Sequence, residues 1–154
     1  RGMDHLSTLR VHTRMPIFIP SRVTAELIQW MTDSRLTPTM VLHVNHAREI
    51  GLEAERAVGR LREAGIVLLN QSVLLAGVND SVDALEGLSR SLHRLGILPY
   101  YLHQLDRVTG SAHFEVPVER GTELIEALRA RLPGYLVPRY VREEPAKASK
   151  MPLA

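Results

Sequence analysis

A short apolar segment recurs about every thirty residues along the chain, and a longer stretch with a helical pattern follows each of the first four. The short segments predict buried β-strands at residues 9–12, 40–44, 66–75, 97–102 and 135–141. The longer stretches predict amphipathic helices at residues 24–34, 52–64, 81–95 and 118–132. This alternation is typical of the α/β class, with repeated βα units and parallel strands.

The helices are the better defined of the predicted elements. In residues 81–95, apolar side chains recur at three- and four-residue spacing, which places them on one face. They are Val82, Leu85, Leu88, Leu92 and Leu95. Either Asp80 or Ser81 has the side chain to cap the start of this helix, and Gly96 can adopt the left-handed conformation after its end.

Polar side chains lie in or directly after four of the five predicted strands. They are His12 and Arg14, then His43, Asn45 and His46, then Asn70 and Gln71, and finally His103, Gln104 and Asp106. The active site of a barrel draws residues from the C-terminal ends of several strands, whereas an open doubly wound sheet concentrates them at one switch point. The pattern therefore favours part of a barrel.

Composition excludes several classes of function. The chain has no cysteine, so it contains no disulfide, no catalytic thiolate and no cysteine-ligated metal or cluster. Its net charge of +2 comes without a run of like charges, which argues against nucleic acid as a partner. No apolar run is long enough to cross a membrane, and no targeting segment is evident, so we expect a cytoplasmic protein.

Residue types alone leave the candidate chemistry open. Lys147 and Lys150 are the only lysines, and they lie in a tail, residues 142–154, whose composition predicts a loop. Two interpretations are open for these lysines. They belong to a solvated chain end, or one of them supplies an amine that forms a Schiff base with an aldehyde cofactor. The pair His43 and His46 fits hydrogen bonding at a ligand pocket better than metal binding, so we predict no metal site.

Several segments form a specific combination when taken in order. They are HTRMP at 12–16, NHAREI at 45–50, NQSVLL at 70–75, GVND at 77–80, LPYYLHQLD at 98–106, GSAHF at 110–114, GYLVPR at 134–139 and SKMPL at 149–153. Together they resemble the lysine 2,3-aminomutase family of radical S-adenosylmethionine (SAM) enzymes, over essentially the whole chain. His103 and the ending soon after SKMPL resemble the bacterial branch that makes β-lysine for modification of elongation factor P.

The resemblance implies a fold and a reaction. Residues 1–141 would be the C-terminal half of a radical-SAM (β/α)6 partial TIM barrel, and residues 142–154 would be a tail that carries the pyridoxal-phosphate lysine. The family converts L-lysine to β-lysine by moving the α-amino group from C2 to C3. Its cofactors are pyridoxal 5′-phosphate, SAM and a [4Fe-4S] cluster.

Site residues follow from the resemblance by position. Lys150 matches the lysine that binds pyridoxal phosphate covalently, Gln71 matches a residue of the pyridoxal-phosphate pocket, and His43 matches a SAM contact. His103 stands near pyridoxal phosphate, where the clostridial type has a tyrosine.

Two further positions match acids of the substrate site. Asp106 matches a carboxylate that holds the side-chain ammonium of lysine, and Glu143 stands where a second acid is expected. On residue type alone, Asp106 could equally form a cap or an ion pair at a strand end.

The chain departs from the family in two places. The family's cluster motif, C-x-x-x-C-x-x-C, is absent, because there is no cysteine. Residues 145–148, PAKA, replace a glycine-rich approach to the lysine, and Lys147 competes with Lys150 for the same role.

Three readings remain open at this point. The first is a fragment of an aminomutase, inactive alone, that forms a homo-oligomer or pairs with a missing N-terminal half through an exposed sheet edge. The second is a catalytically inactive module on the same scaffold that binds pyridoxal phosphate or a nucleotide. The third is an unrelated α/β hydrolase or transferase, which the absence of a nucleophile motif disfavours.

Overall fold

The computed structural model describes residues 4–106, 108–144, 147 and 149–154. Of the segment 145–148, which replaces the glycine-rich approach of the family, residues 145, 146 and 148 lie outside the described residues. The described strands form one sheet. They are β1 (Thr8–Thr13), β2 (Thr37–His43), β3 (Val67–Val73), β4 (Leu98–His103), β5 (Arg139–Arg142) and β6 (Met151–Pro152).

Five α-helices connect these strands in the described part of the chain. They are α1 (Met15–Phe18), α2 (Ala25–Thr32), α3 (Leu52–Glu63), α4 (Val82–Arg94) and α5 (Val118–Arg131). The predicted ends of α4 are confirmed, because the Ser81 hydroxyl accepts a hydrogen bond from the Ala84 amide at 3.2 Å and Gly96 has a φ of 78°.

The strands lie in the sheet in the same order as in the chain. β1 to β5 are parallel, and β6 pairs antiparallel with β5. Because crossovers between parallel strands are right-handed, an order without reversal places all the crossover helices on one face. The predicted α/β class with repeated parallel βα units is confirmed, and the described strands show no switch point of the doubly wound kind.

The hydrophobic core lies between the sheet and this helix layer. One cluster joins β2 and β3 to α3 and α4, and it includes the fully buried Met40, Leu61 and Leu92. A second cluster joins β4 and β5 to α4 and α5 and includes Leu102 and Tyr140. The sheet therefore has a helix face, which carries the core, and an opposite face, which is available for a site.

Two predictions near the C-terminus were wrong. The predicted strand at 135–141 is interrupted, since Gly134–Leu136 forms a 3-10 helix and the strand is Arg139–Arg142. A proline cannot donate to a strand ladder, and Pro138 precedes the strand directly. The loop predicted for the tail is wrong at Met151–Pro152, which forms β6, and the Leu153 amide donates to the Tyr140 carbonyl at 2.9 Å.

None of the helices in the described residues is both long enough and apolar enough to span a bilayer.

Candidate functional site

The face of the sheet opposite the helices carries a row of polar and aromatic side chains, which we call the site face. It comprises His12, His43, Gln71, Tyr101 and His103, from four neighbouring strands. Side chains alternate between the two faces of a strand, and the neighbours Leu42, Val44 and Leu102 belong to the helix-side core. In the register of the sheet Gln71 lies beside His43 on one side and Tyr101 on the other.

Lys150 lies against the β4 part of this row. Its Nζ is 3.2 Å from His103 Nε2, forms an ion pair with Glu143, and lies 5.1 Å from the centre of the Tyr101 ring. Lys150 directly precedes β6, so pairing of β6 with β5 brings its amine to the site face. The side chain of Lys150 is 26% exposed, whereas that of His103 is 11% exposed.

A cleft of about 410 Å³ brings most of the predicted residues together. Its lining includes His43, Gln71, His103, Asp106 and Glu143. Lys150 contacts two of these residues, so its amine stands at the border of the cleft. Asp106 and Glu143 also line a neighbouring cleft of about 720 Å³, together with Arg142 and Glu144.

Gln71 has an incomplete set of hydrogen bonds. Its Nε2 is 3.0 Å from His43 Nε2, whereas its Oε1 is buried and has no hydrogen-bond partner among the described residues. A buried carbonyl oxygen without a partner loses hydration and gains nothing in return. A ligand donor in the cleft would satisfy it.

Charge and burial shift the pKa values of the titratable groups here. Burial lowers the pKa of His43 and His103 below the ordinary value, and the positive charge of Lys150 lowers both further. Burial, Arg10 and Lys150 likewise lower the pKa of His12. The hydrogen bond from Lys150 lowers the pKa of Glu143. The site therefore combines neutral imidazoles with an ionised carboxylate near neutral pH.

A second polar network lies on the helix side and holds the ends of β2 and β3. Asn70 accepts from the Val44 amide at 2.9 Å and donates to the Val44 carbonyl at 3.1 Å. Asn79 donates to the carbonyls of Asn45 and Val73, each at 2.9 Å. These two side-chain amides join the C-terminal ends of β2 and β3. Neither Asn70 nor Asn79 lines the cleft, so we assign both to the scaffold.

Other polar residues noted in the sequence are also structural. His46 caps a short 3-10 helix, Ala47–Glu49, by accepting from the Arg48 amide at 3.1 Å. Gln104 is 5% exposed; it accepts from the Tyr140 hydroxyl and donates to the Val116 carbonyl at 2.8 Å. No group of three metal-ligating side chains forms a candidate metal site within the described residues.

Two residues of the site face were not among the predicted site residues. Tyr101 faces the Lys150 amine, and His12 lies 6.1 Å from His43, measured between ring centroids. Strand periodicity contained the signal for Tyr101, because it precedes His103 by two positions and so shares its face.

The residues present fit pyridoxal phosphate in part and do not fit an iron–sulfur cluster. A partly buried amine at a cleft, with an unpaired amide oxygen nearby, suits an aldehyde cofactor that has polar substituents. His43, whose position matches a SAM contact in the family, also lines this cleft. With no cysteine, the chain has no thiolate to ligate a cluster.

Comparisons with known proteins agree with the motifs. No family model matches the chain. It is 44% identical over 152 residues to an L-lysine 2,3-aminomutase of Escherichia coli, covering 99% of this chain and 44% of that protein. It is 39% identical over 154 residues to an L-lysine 2,3-aminomutase of Clostridium subterminale, covering 99% of this chain and 36% of that protein.

A solved structure supports the fold. The chain matches a radical SAM methyltransferase from Sphaerobacter thermophilus with a TM-score of 0.58 and 23% identity, covering 87% of this chain and 40% of that one. The chain spans less than half the length of the curated relatives given above. Over the part that it spans, the chain is similar to proteins named L-lysine 2,3-aminomutase from several organisms.

Proposed function

We propose that this chain is the C-terminal half of a radical-SAM, pyridoxal-phosphate-dependent L-lysine 2,3-aminomutase, and that it supplies the cofactor lysine and the acids that bind substrate. The observation that carries the proposal is the position of Lys150. Its amine contacts His103 and Glu143, and both line the cleft that also holds His43, Gln71 and Asp106. Residues far apart in the sequence thus lie at one cleft, which supports the proposal.

Each residue has a part that its chemistry allows. Pyridoxal phosphate, when bound, supplies an aldehyde that captures amines and a ring that withdraws electrons. Lys150 offers the amine, and Gln71 Oε1 accepts a hydrogen bond from the cofactor or the substrate. Asp106 and Glu143 present carboxylates to the ammonium group of lysine, and charge-assisted hydrogen bonds of this kind are strong. His43 faces the part of the cleft that we assign to SAM.

The proposal includes a second part of the enzyme. The cluster would be ligated by cysteines on a segment that this chain does not contain, so the chain alone would not catalyse the rearrangement. β1 pairs only with β2 among the described strands and leaves one edge free. Phe18 and Trp30, each 60% exposed, lie in the helices that follow β1. We assign this edge to the N-terminal half or, in its absence, to a second copy of the chain.

We extend the proposal to the branch that serves elongation factor P in the cytoplasm. The identity is higher to the Escherichia coli protein than to the Clostridium protein, which supports a branch other than the clostridial one. The substrate would be L-lysine and the product β-lysine for that modification.

Covalent trapping tests the cofactor lysine. We would incubate the chain with pyridoxal phosphate, reduce with borohydride, and map the labelled peptide by mass spectrometry. Lys150→Arg should abolish the adduct, whereas the matched control Lys147→Arg should retain it. Labelling that follows Lys147, or no stable adduct at either lysine, would contradict the proposal.

The inactive binding module remains a second candidate, because the chain has no cysteine. The same adduct would form in both cases, so turnover must separate them. Combining the chain with the cysteine-bearing segment of a relative should yield β-lysine from L-lysine if the chain is part of an aminomutase. An adduct at Lys150 without turnover in that mixture would favour the binding module.

A further inference from the structure

Lys150 has two polar partners of opposite character. Glu143 is a carboxylate that forms an ion pair with the Lys150 amine and thereby stabilises its charged form. His103 Nε2 lies 3.2 Å from Nζ, and an ammonium group has hydrogens but no lone pair. The ammonium must therefore donate to His103 Nε2, which fixes the neutral tautomer with its hydrogen on Nδ1.

We propose that His103 accepts the proton that the Lys150 nitrogen loses when it attacks an aldehyde. This inference rests on the proposed function, in which the Lys150 amine captures an aldehyde cofactor. It gives His103 a role in proton transfer, beyond its proximity to the cofactor.

The surroundings favour His103 over Glu143 as the acceptor. The pKa of Glu143 is lowered by its contact with Lys150, so its carboxylate is a weak base. The His103 imidazole has a pKa much nearer to that of an amine, although burial, Lys150 and His43 lower it. Glu143 and Asp106 act in the opposite sense and raise the pKa of His103. The neutral imidazole, within hydrogen-bond reach of the amine, is therefore the stronger base of the two.

The proton transfer is balanced without another reactant. An Nζ–H bond of Lys150 breaks and an Nε2–H bond of His103 forms, so the positive charge moves from the ammonium to the imidazolium. Glu143 Oε1 lies 3.9 Å from His103 Nδ1 and stabilises that charge. The lone pair freed on Nζ forms the C–N bond to the aldehyde. The carbonyl oxygen would receive the proton from Nε2 and a second proton from Nζ and would leave as water, and the third hydrogen would stay on the nitrogen.

The reactivity of the amine tests the inference without the cofactor. We would label the chain with acetic anhydride across a range of pH and measure acetylation of Lys150 against Lys147 by mass spectrometry. The matched variants are His103→Gln, which keeps a polar side chain but has no basic nitrogen, and His113→Gln, which alters an exposed histidine outside the cleft. Circular dichroism would establish that each variant is folded.

We expect His103→Gln to lower the rate of Lys150 acetylation near neutral pH about tenfold relative to Lys147, because the attacking amine loses its proton acceptor. The rate of adduct formation with pyridoxal phosphate should fall in parallel. The profile of His113→Gln should match that of the unmodified chain. Glu143→Gln should move the pH midpoint of Lys150 acetylation downward, because it removes the charge that stabilises the ammonium.

The outcomes separate this inference from the proposed function. An unchanged acetylation profile in folded His103→Gln, with the pyridoxal-phosphate adduct still at Lys150, overturns the role of His103 alone. If His103→Gln does not fold, His103→Asn is measured instead, and an unchanged rate of Lys150 acetylation in that variant overturns the inference. A profile that depends on His103, with no pyridoxal-phosphate adduct at Lys150 in the unmodified chain, overturns the proposed function and leaves the proton contact supported.

Discussion

The two faces of β3 differ in burial and in how completely their polar side chains are hydrogen-bonded. The helix face carries Leu68, Asn70 and Ser72, which are all buried, and the site face carries Leu69, Gln71 and Val73, which are all half-buried. Asn70 uses both atoms of its amide in hydrogen bonds, whereas Gln71 leaves its Oε1 without a partner among the described residues. Asn70 and Gln71 are adjacent in the segment NQSVLL, and their side chains therefore differ in how they are hydrogen-bonded.

This difference separates scaffold from site. Buried polar groups in folded proteins are almost always paired, and the unpaired Gln71 Oε1 is consistent with the ligand site that we propose. The Asn70 network fixes the strand ends, and it allows Gln71 and His43 to hold their positions over the cleft. Adjacent residues of β3 have similar side chains on opposite faces, so the same substitution at two neighbouring positions compares the helix face with the site face.

The largest effect is expected from the pair Leu68 and Leu69. Leu68→Ala removes a side chain that is 3% exposed within the first core cluster, and should lower the free energy of unfolding by about 3 kcal/mol. Leu69→Ala removes the same atoms from the half-buried site face and should cost about 1 kcal/mol. Urea titrations measure both values, and equal losses would show that the two faces are packed alike.

An intermediate effect is expected at Asn70 and Gln71. Asn70→Ala should cost about 2 kcal/mol, because the buried Val44 amide loses its acceptor. Gln71→Ala should change the free energy of unfolding by less than about 0.5 kcal/mol while weakening formation of the pyridoxal-phosphate adduct. Urea unfolding and borohydride trapping measure the two properties on the same samples. A large stability loss in Gln71→Ala would place it in the scaffold.

The smallest expected effect is the change in the free energy of unfolding with pH. It arises from titratable side chains of the site face. The pKa values of His12, His43 and His103 lie below the ordinary 6.5 in the folded chain. Below pH 6.5 the unfolded chain therefore binds more protons, and the free energy of unfolding falls as the pH falls. The lowered pKa of Glu143 adds a further loss only below its ordinary value of 4.5.

Unfolding in urea at about pH 7.5 and about pH 5.5 measures the histidine contribution. His43→Gln should reduce the difference in free energy between the two conditions, because it removes one of the shifted groups. The exposed His113→Gln is the control and should leave the difference unchanged. A difference that persists in full in His43→Gln would exclude that histidine as a source.

The helices could be predicted closely because their signals are local. The helix predicted at 118–132 is α5 at Val118–Arg131, and its apolar side chains Leu124, Ile125 and Leu128 are buried. The ends of the strands were less accurate, since the predicted strand at 66–75 is β3 at Val67–Val73. β6 has only two residues, too few to show a period, and it exists through pairing with a strand about ten positions away.

The sequence alone determined the repeated βα pattern, the absence of a cluster site, and the set of motif residues, because each of these depends on residue type and short-range spacing. Tertiary structure alone decided which member of each motif faces the cleft. A strand turns alternate side chains to opposite faces, so Asn70 became scaffold and Gln71 became site. The tertiary structure also decided that Lys150 contacts His103. These residues are 47 positions apart, and their contact depends on the pairing of β6 with β5.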